Sequence, residues 1–186
     1  MSRYNSLLNL IQLFQPETIV ETGTWKGYNA IRMLRAMRMW CDRPAYIGYD
    51  LFEEGTDATD AEEFNVKERP SCLGAADKIK RKCPWAEIHL TKGNTRETLK
   101  PVVADFAFID GGHSVETIRH DYEKLRGSKV IVFDDYYTAD DEGRVPDITK
   151  VGCNSIVQGL PHAIIAGKDK LKGGGIVNLA VVFGCQ

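Results

Sequence analysis

The hydrophobic pattern changes period again and again along the chain, and this alternation limits the folds open to it. Leu7, Leu8, Ile11 and Phe14 recur at helical spacing, and Pro16 stops that helix. Thr18-Ile19-Val20 is a β-rich run ending at Glu21, followed by a turn from Gly23 to Gly27. Ile31, Leu34 and Met37 then share one helix face, and Tyr46 to Asp50 reads as a second strand. Ala86–Leu90, Asp105–Asp110 and Lys129–Asp134 read as three more strands, with a helix marked by Val115, Ile118, Tyr122 and Leu125 before the last of them. A helix from about Ile148 to Gln158 and strands around Ala163–Ala166 and Ile176–Phe183 complete seven strand-like runs. Strand–helix–strand order predicts βαβ units and a mainly parallel sheet. Runs such as Val130 to Phe133 lack polar alternation, which suits central strands covered by helices on both faces.

Composition narrows the function. A chain of 186 residues is expected to form one domain. Its net charge of −2 argues against general affinity for nucleic acid. The absence of an 18-residue apolar run argues against a membrane span. The start, Met1-Ser2-Arg3-Tyr4-Asn5, lacks the apolar core of a secretion signal. Five cysteines (Cys41, Cys72, Cys83, Cys153 and Cys185) with no CxxC pair suit a reducing, cytoplasmic setting. The basic run Lys78 to Lys82 reads as a solvated helix face.

In an open parallel sheet, ligands bind beyond the carboxyl ends of the strands, where strand order reverses. The expected strand ends here are Glu21, Asp50, Gly93-Asn94, Asp110 and Asp134-Asp135. Four of these five ends carry a carboxylate, which is costly to bury unless it meets water, a ligand or a cation. Gly23 allows a tight turn and a close ligand approach, and Gly27 allows close packing of the next helix. There is neither GxGxxG nor GK[ST], and Glu21 would repel a pyrophosphate. That disfavours a nicotinamide-dependent oxidoreductase. An acid at Asp50 suits a ribose diol, so the ligand expected is cationic and contains adenosine.

Glu21-x-Gly23-x-x-x-Gly27 resembles motif I of the class I S-adenosylmethionine-dependent methyltransferases, and Asp50 falls where that family has its ribose-binding acid. The segment Phe108-Ile109-Asp110-Gly111-Gly112-His113-Ser114-x-Glu116, followed by a strand ending in Asp134-Asp135, is similar to the small-molecule O-methyltransferase branch that includes the macrocin and macrolide-sugar enzymes. Val115 departs from that pattern, which usually has an aromatic residue there. The resemblance covers about residues 15 to 140. It implies a Rossmann-like, doubly wound α/β fold: a mainly parallel seven-stranded sheet, helices on both faces, and an antiparallel last strand. It also implies S-adenosylmethionine as cofactor. Glu21, Gly23 and Thr24 would face its methionine end with Gly27 closing the loop. Asp50 would hold the ribose, Leu51 or Phe52 would lie against the adenine and Asn94 at its edge, and Asp110 would sit beside the cofactor.

A hydroxyl acceptor must also lose a proton, to a base or with the help of a metal ion. His113 and Asp110 are the expected catalytic residues. Three carboxylates at adjacent strand ends, Asp110, Asp134 and Asp135, would suit Mg²⁺, and the resemblance implies such a metal site. The expected activity is methyl transfer to a hydroxyl of a small molecule, with a sugar as one such acceptor. A nucleoside-binding domain without catalysis is the alternative. The predicted domain spans 1–186, with an N-terminal helix over 1–15, a lid-like insertion over 51–77 and an acceptor-side loop over 136–147. Leu51 to Glu68 holds seven acids against one base, Lys67. Tyr136 and Tyr137 are expected to line an acceptor pocket beside the acidic Asp140, Asp141 and Glu142. With so little chain to spare, the acceptor would be gripped by these two segments or by a second subunit of a homo-oligomer.

Overall fold

The computed structural model describes residues 2–63 and 68–184. Residues 64–67, inside the predicted insertion and including Lys67, lie outside the described residues, as does Cys185.

Helix α1 (Arg3–Phe14) leads into β1 (Thr18–Thr22), α2 (Tyr28–Met37) and β2 (Ala45–Asp50). A short 3-10 turn (Phe52–Glu54), α3 (Asp57–Glu62) and α4 (Cys72–Lys82) precede β3 (Glu87–Lys92) and α5 (Thr95–Thr98). Then come β4 (Phe106–Ile109), α6 (Val115–Leu125), β5 (Val130–Thr138), α7 (Asn154–Val157), β6 (His162–Lys170) and β7 (Ile176–Phe183). The seven strands form one sheet in the order β3-β2-β1-β4-β5-β7-β6. Strands β1 to β5 pair in parallel, while β7 runs antiparallel to both β5 and β6. This is the mainly parallel sheet with an antiparallel last strand that the sequence predicts.

Alternate side chains of the central strands serve two separate cores. Ile19, Phe106, Phe108, Val130 and Val132 pack with Leu7 and Ile11 of α1, Met33 and Leu34 of α2, and Ile79 of α4. Val20, Ala107, Ile109, Ile131 and Phe133 pack with Ile118 and Leu125 of α6 and Val157 of α7. Such two-sided cover explains why these strands read as unbroken apolar runs. It also holds the sheet rigid, so that its carboxyl edge presents side chains at fixed positions. Among the described residues, no helix is long and apolar enough to cross a membrane.

Two expected elements differ. The predicted helix from Ile148 shrinks to α7, because Thr149 is tied back to Asp147 and Gly152 adopts a φ of 80°, which a helix cannot continue through. The predicted insertion over 51–77 overlaps α4, whose first residue is Cys72. Only 51–71 is therefore left as extra chain between β2 and its crossover helix.

Candidate active site

Strand order reverses between β1 and β4, and a cavity opens at the carboxyl ends of those two strands. Its volume is about 690 Å³, within the usual range for a small-molecule site. Gly23, Thr24, Asp50, Leu51, Phe52, Asn94, Asp110 and His113 all line it. Glu21 and Gly27 do not.

At Gly23 two backbone turns come close together. This glycine has a φ of 89°, and a Cβ added there would lie 2.0 Å from the backbone oxygen of Asp110. The β1 turn and the β4 turn are therefore in direct contact, and only glycine permits it. Gly27 answers a packing need instead, since its added Cβ would meet the Ile79 side chain of α4 at 2.7 Å. Asp50 lies at the β2 end and is fixed by two backbone donors. Trp25 N–H donates to Oδ2 at 2.7 Å, and Phe52 N–H donates to Oδ1 at 2.6 Å. Burial raises its pKa, and these two amides oppose the rise. Asn94 caps α5 through Arg96 N–H at 2.9 Å, leaving its amide at the cavity wall.

Glu21 sits beneath this floor, fully buried. Tyr46 donates a short hydrogen bond to Oε2 and contacts the Thr24 hydroxyl at 3.0 Å, while Oε1 has no partner. Burial pushes the carboxyl up to about 8, although the Tyr46 bond favours the charged form. A buried acid with one orphaned oxygen, placed under a glycine cradle, fits a site that takes a positively charged ligand.

The second half of the site is built around a bulge in β5. Phe133 pairs with Ala180 and Tyr136 with Asn178, so β5 carries one extra residue at Asp134-Asp135. Asp135 takes a left-handed φ of 59° there. The bulge sends the two neighbouring carboxylates to different partners. Asp134 meets Arg3 of α1, whose Nε lies 2.8 Å from both carboxylate oxygens. Asp135 Oδ2 lies 3.2 Å from His113 Nε2. Burial and the charge of Asp134 push Asp135 up to about 6, and His113 pulls the other way. Asp110 shares a side-chain hydrogen bond with Asp134. Its burial, followed by the neighbouring acids, raises its pKa well above the ordinary range.

His113 is engaged at both ring nitrogens, since Nδ1 lies 2.7 Å from the backbone oxygen of Glu63. The Glu63 carboxylate in turn accepts from Ser114 N–H at 2.9 Å, the Ser114 hydroxyl at 3.0 Å and the Thr117 hydroxyl. Ser114 caps α6 by accepting from Thr117 N–H, and Glu63, at the end of α3, holds that cap residue in place and ties α3 to the β4 turn.

The sequence predicts a metal-binding triad of Asp110, Asp134 and Asp135, and here the structure differs. Among the described residues, no three His, Cys, Asp or Glu side chains are arranged to hold a metal ion. Both Asp134 oxygens face Arg3, and Asp135 is drawn to His113. The donor set does not fit Mg²⁺. The expected negative character of the insertion is also reduced. Arg69 pairs with Asp57 and Asp60, Lys92 with Glu53 and Glu54, and Arg96 with Glu62. In the segment over 136–147, Arg144 pairs with Asp140 and Glu142, and Asp141 pairs with Lys170 of β6. Tyr136 and Tyr137 belong to β5 and are not among the residues lining the cavity. Arg3, Tyr46 and Glu63 are the residues built into this region that sequence reasoning missed. All three act through contacts distant in sequence, which no local pattern announces.

Three comparisons bear on this geometry. A family model described as a methyltransferase domain matches residues 20–136. No curated protein sequence matches the chain. Solved structures share the fold at low identity. The O-methyltransferase TomG from Streptomyces achromogenes, involved in tomaymycin synthesis and solved with SAM, is 17% identical with a TM-score of 0.59, covering 98% of this chain and 79% of that one. An O-methyltransferase from Bacillus cereus, in complex with SAH, is 18% identical with a TM-score of 0.62, covering 97% and 80%. The N-methyltransferase NodS from Bradyrhizobium japonicum is 14% identical with a TM-score of 0.61, covering 99% and 95%.

Proposed function

Because the chain belongs to the methyltransferase domain family, we propose that it transfers a methyl group from S-adenosylmethionine to a hydroxyl of a small molecule. The observation that carries this reading is the cavity at the reversal of strand order, floored by the Gly23 turn and walled by Asp50 and Asp110. O-methyltransferases among the structural neighbours, one solved with SAM and one with SAH, support the cofactor and the acceptor atom.

In this reading Asp50 accepts from the ribose hydroxyls, held ready by the amides of Trp25 and Phe52. Leu51, Phe52 and Asn94 border the adenine, and Thr24 and Gly23 border the methionine end. Bound there, S-adenosylmethionine supplies an electrophilic methyl group on a sulfonium. The chain's own task is to align the acceptor, exclude water and take up a proton. Asp110 is the carboxylate in the cavity wall placed to take that proton. Burial and Asp134 hold it protonated in the empty site, and a cationic ligand alongside favours its ionised form. His113, occupied by Glu63 and Asp135, orients Asp135 and closes the wall instead of acting as a free base. The metal expected from the sequence has no open carboxylate set to enter, so no step is assigned to it.

Isothermal titration tests the cofactor, and mass spectrometry of hydroxyl-bearing small molecules, sugars included, tests the transfer. S-adenosylhomocysteine is expected to bind and NAD is not, and Asp50→Ala should weaken binding about 10- to 100-fold. Binding of NAD alone would overturn the reading, and methylation of amines only would move the acceptor from oxygen to nitrogen.

A further inference from the structure

Arg3 is a cation in an unexpected place. It is the first residue of α1, where the helix dipole disfavours positive charge, and no acidic residue occupies that turn. The rest of α1 is anchored by Leu7, Leu10 and Ile11, which bury against the sheet and α2. This anchoring delivers the helix start to the carboxyl end of β5. There Arg3 uses its whole side chain. Nε faces both oxygens of Asp134 at 2.8 Å, Nη1 donates to Asp169 Oδ2 at 3.1 Å, and Nη2 donates to the Tyr4 hydroxyl at 3.1 Å. Its backbone N–H also reaches Asp169, at 3.2 Å. The Asp134 side chain is only 1% exposed, so its charge has little help from water. Both Arg3 and Tyr4 line the cavity beside Asp110.

We propose that Arg3 is a positioning residue that serves as the resident cation of the acceptor side, neutralising Asp134 and holding Tyr4 against the cavity in place of a divalent metal ion. A guanidinium suits the role, because its planar fork pairs with a carboxylate and is more weakly hydrated than an ammonium. Of the two acids, Asp110 lines the cavity and Asp134 does not. Arg3 lies outside the segment matched by the family model, residues 20–136. The role in turnover rests on the methyltransferase reading, but the cation role has a separate readout.

The test is Mn²⁺ binding, followed by electron paramagnetic resonance, alongside S-adenosylhomocysteine titration of the same samples. The intact protein should leave Mn²⁺ free. Arg3→Ala should uncover Asp134 beside Asp110 and bind Mn²⁺ at least tenfold more tightly. Adding Asp134→Asn should remove that gain, and Arg3→Lys should restore the behaviour of the intact protein. Arg3→Gln carries the same test where the alanine variant is too unstable. Cofactor affinity should stay within about threefold throughout, because Arg3 bonds no group at the ribose end. If the intact protein binds Mn²⁺ as tightly as Arg3→Ala, or if folded Arg3→Ala and Arg3→Gln gain nothing, Arg3 is not the resident cation. Failure to bind S-adenosylhomocysteine would strike the methyltransferase reading alone.

Discussion

The Nδ1 of His113 lies 2.7 Å from the backbone carbonyl oxygen of Glu63, joining the turn after β4 to the end of α3. A carbonyl oxygen only accepts, so Nδ1 carries the hydrogen and the ring orientation is set from outside the strand framework. The Glu63 carboxylate adds three more bonds to the start of α6. Glu63→Ala should therefore cost about 1–2 kcal/mol, the scale of lost hydrogen bonds to a buried carboxylate. Hydrogen exchange should show faster opening of residues 114–117 with β4 still protected. Unchanged protection at Ser114 and Thr117 would mean that Glu63 does not fasten this corner.

Glu21 makes stability depend on pH. Its carboxyl is raised to about 8 in the folded chain, against about 4.3 in an unfolded one. Between those values the folded state holds a proton that the unfolded state has lost, so stability falls as pH rises from about 4.5 to 8. Glu21→Gln should flatten this fall. At pH 8 the variant should exceed the native protein by about 1–3 kcal/mol in urea melts, and at pH 4 the advantage should vanish. The buried Asp135 and Asp121, raised to about 6 and about 7 chiefly by burial, add a fall of the same sign that ends at lower pH. An equal advantage at both pH values would show that the effect is not protonation.

Gly23→Ala separates steric need from backbone strain. The added methyl would stand 2.0 Å from the Asp110 backbone oxygen at a φ of 89°. The two turns must part, and S-adenosylhomocysteine affinity should drop at least tenfold with a stability loss of about 2–4 kcal/mol. Gly143 has a φ of 76° and nothing within 4 Å of an added Cβ. Gly143→Ala should cost about 1 kcal/mol and leave binding intact. Similar binding losses in both variants would contradict the account of a close approach at Gly23.

How far the sequence is readable depends on the range of the interaction. Periodicity recovers all seven strands, most plainly the central ones, which bury local runs such as Val130 to Phe133 on both faces. Strand ends then locate Asp50, Asn94 and Asp110 at the cavity wall. The predicted helix from Ile148 fails on the tie between Thr149 and Asp147 and on the backbone angle at Gly152, which composition alone does not reveal. Counting acids overstates the charge of the site, since the cations that answer them come from elsewhere. Arg69 and Arg96 lie outside the acidic stretch they neutralise, and Arg3 reaches Asp134 across 131 positions. The Arg3–Asp134 pair forms only once the sheet has brought the start of the chain to the end of β5.

The extra residue in β5 gives that strand a change of parity. Before it, Val130 and Val132 face one core while Ile131 and Phe133 face the other. Simple alternation would place Tyr136 with the even-numbered set, yet it packs with Ile131 and Phe133. Even and odd positions thus exchange sides at Asp134-Asp135. A polar scan along β5 should show its sensitive positions shift phase at this point, and removing one residue there would restore strict alternation while turning Tyr136 toward the opposite core. The two acids are consequently bound to a one-residue difference in strand length, and any redesign of this edge of the sheet must conserve that count before it considers side chains.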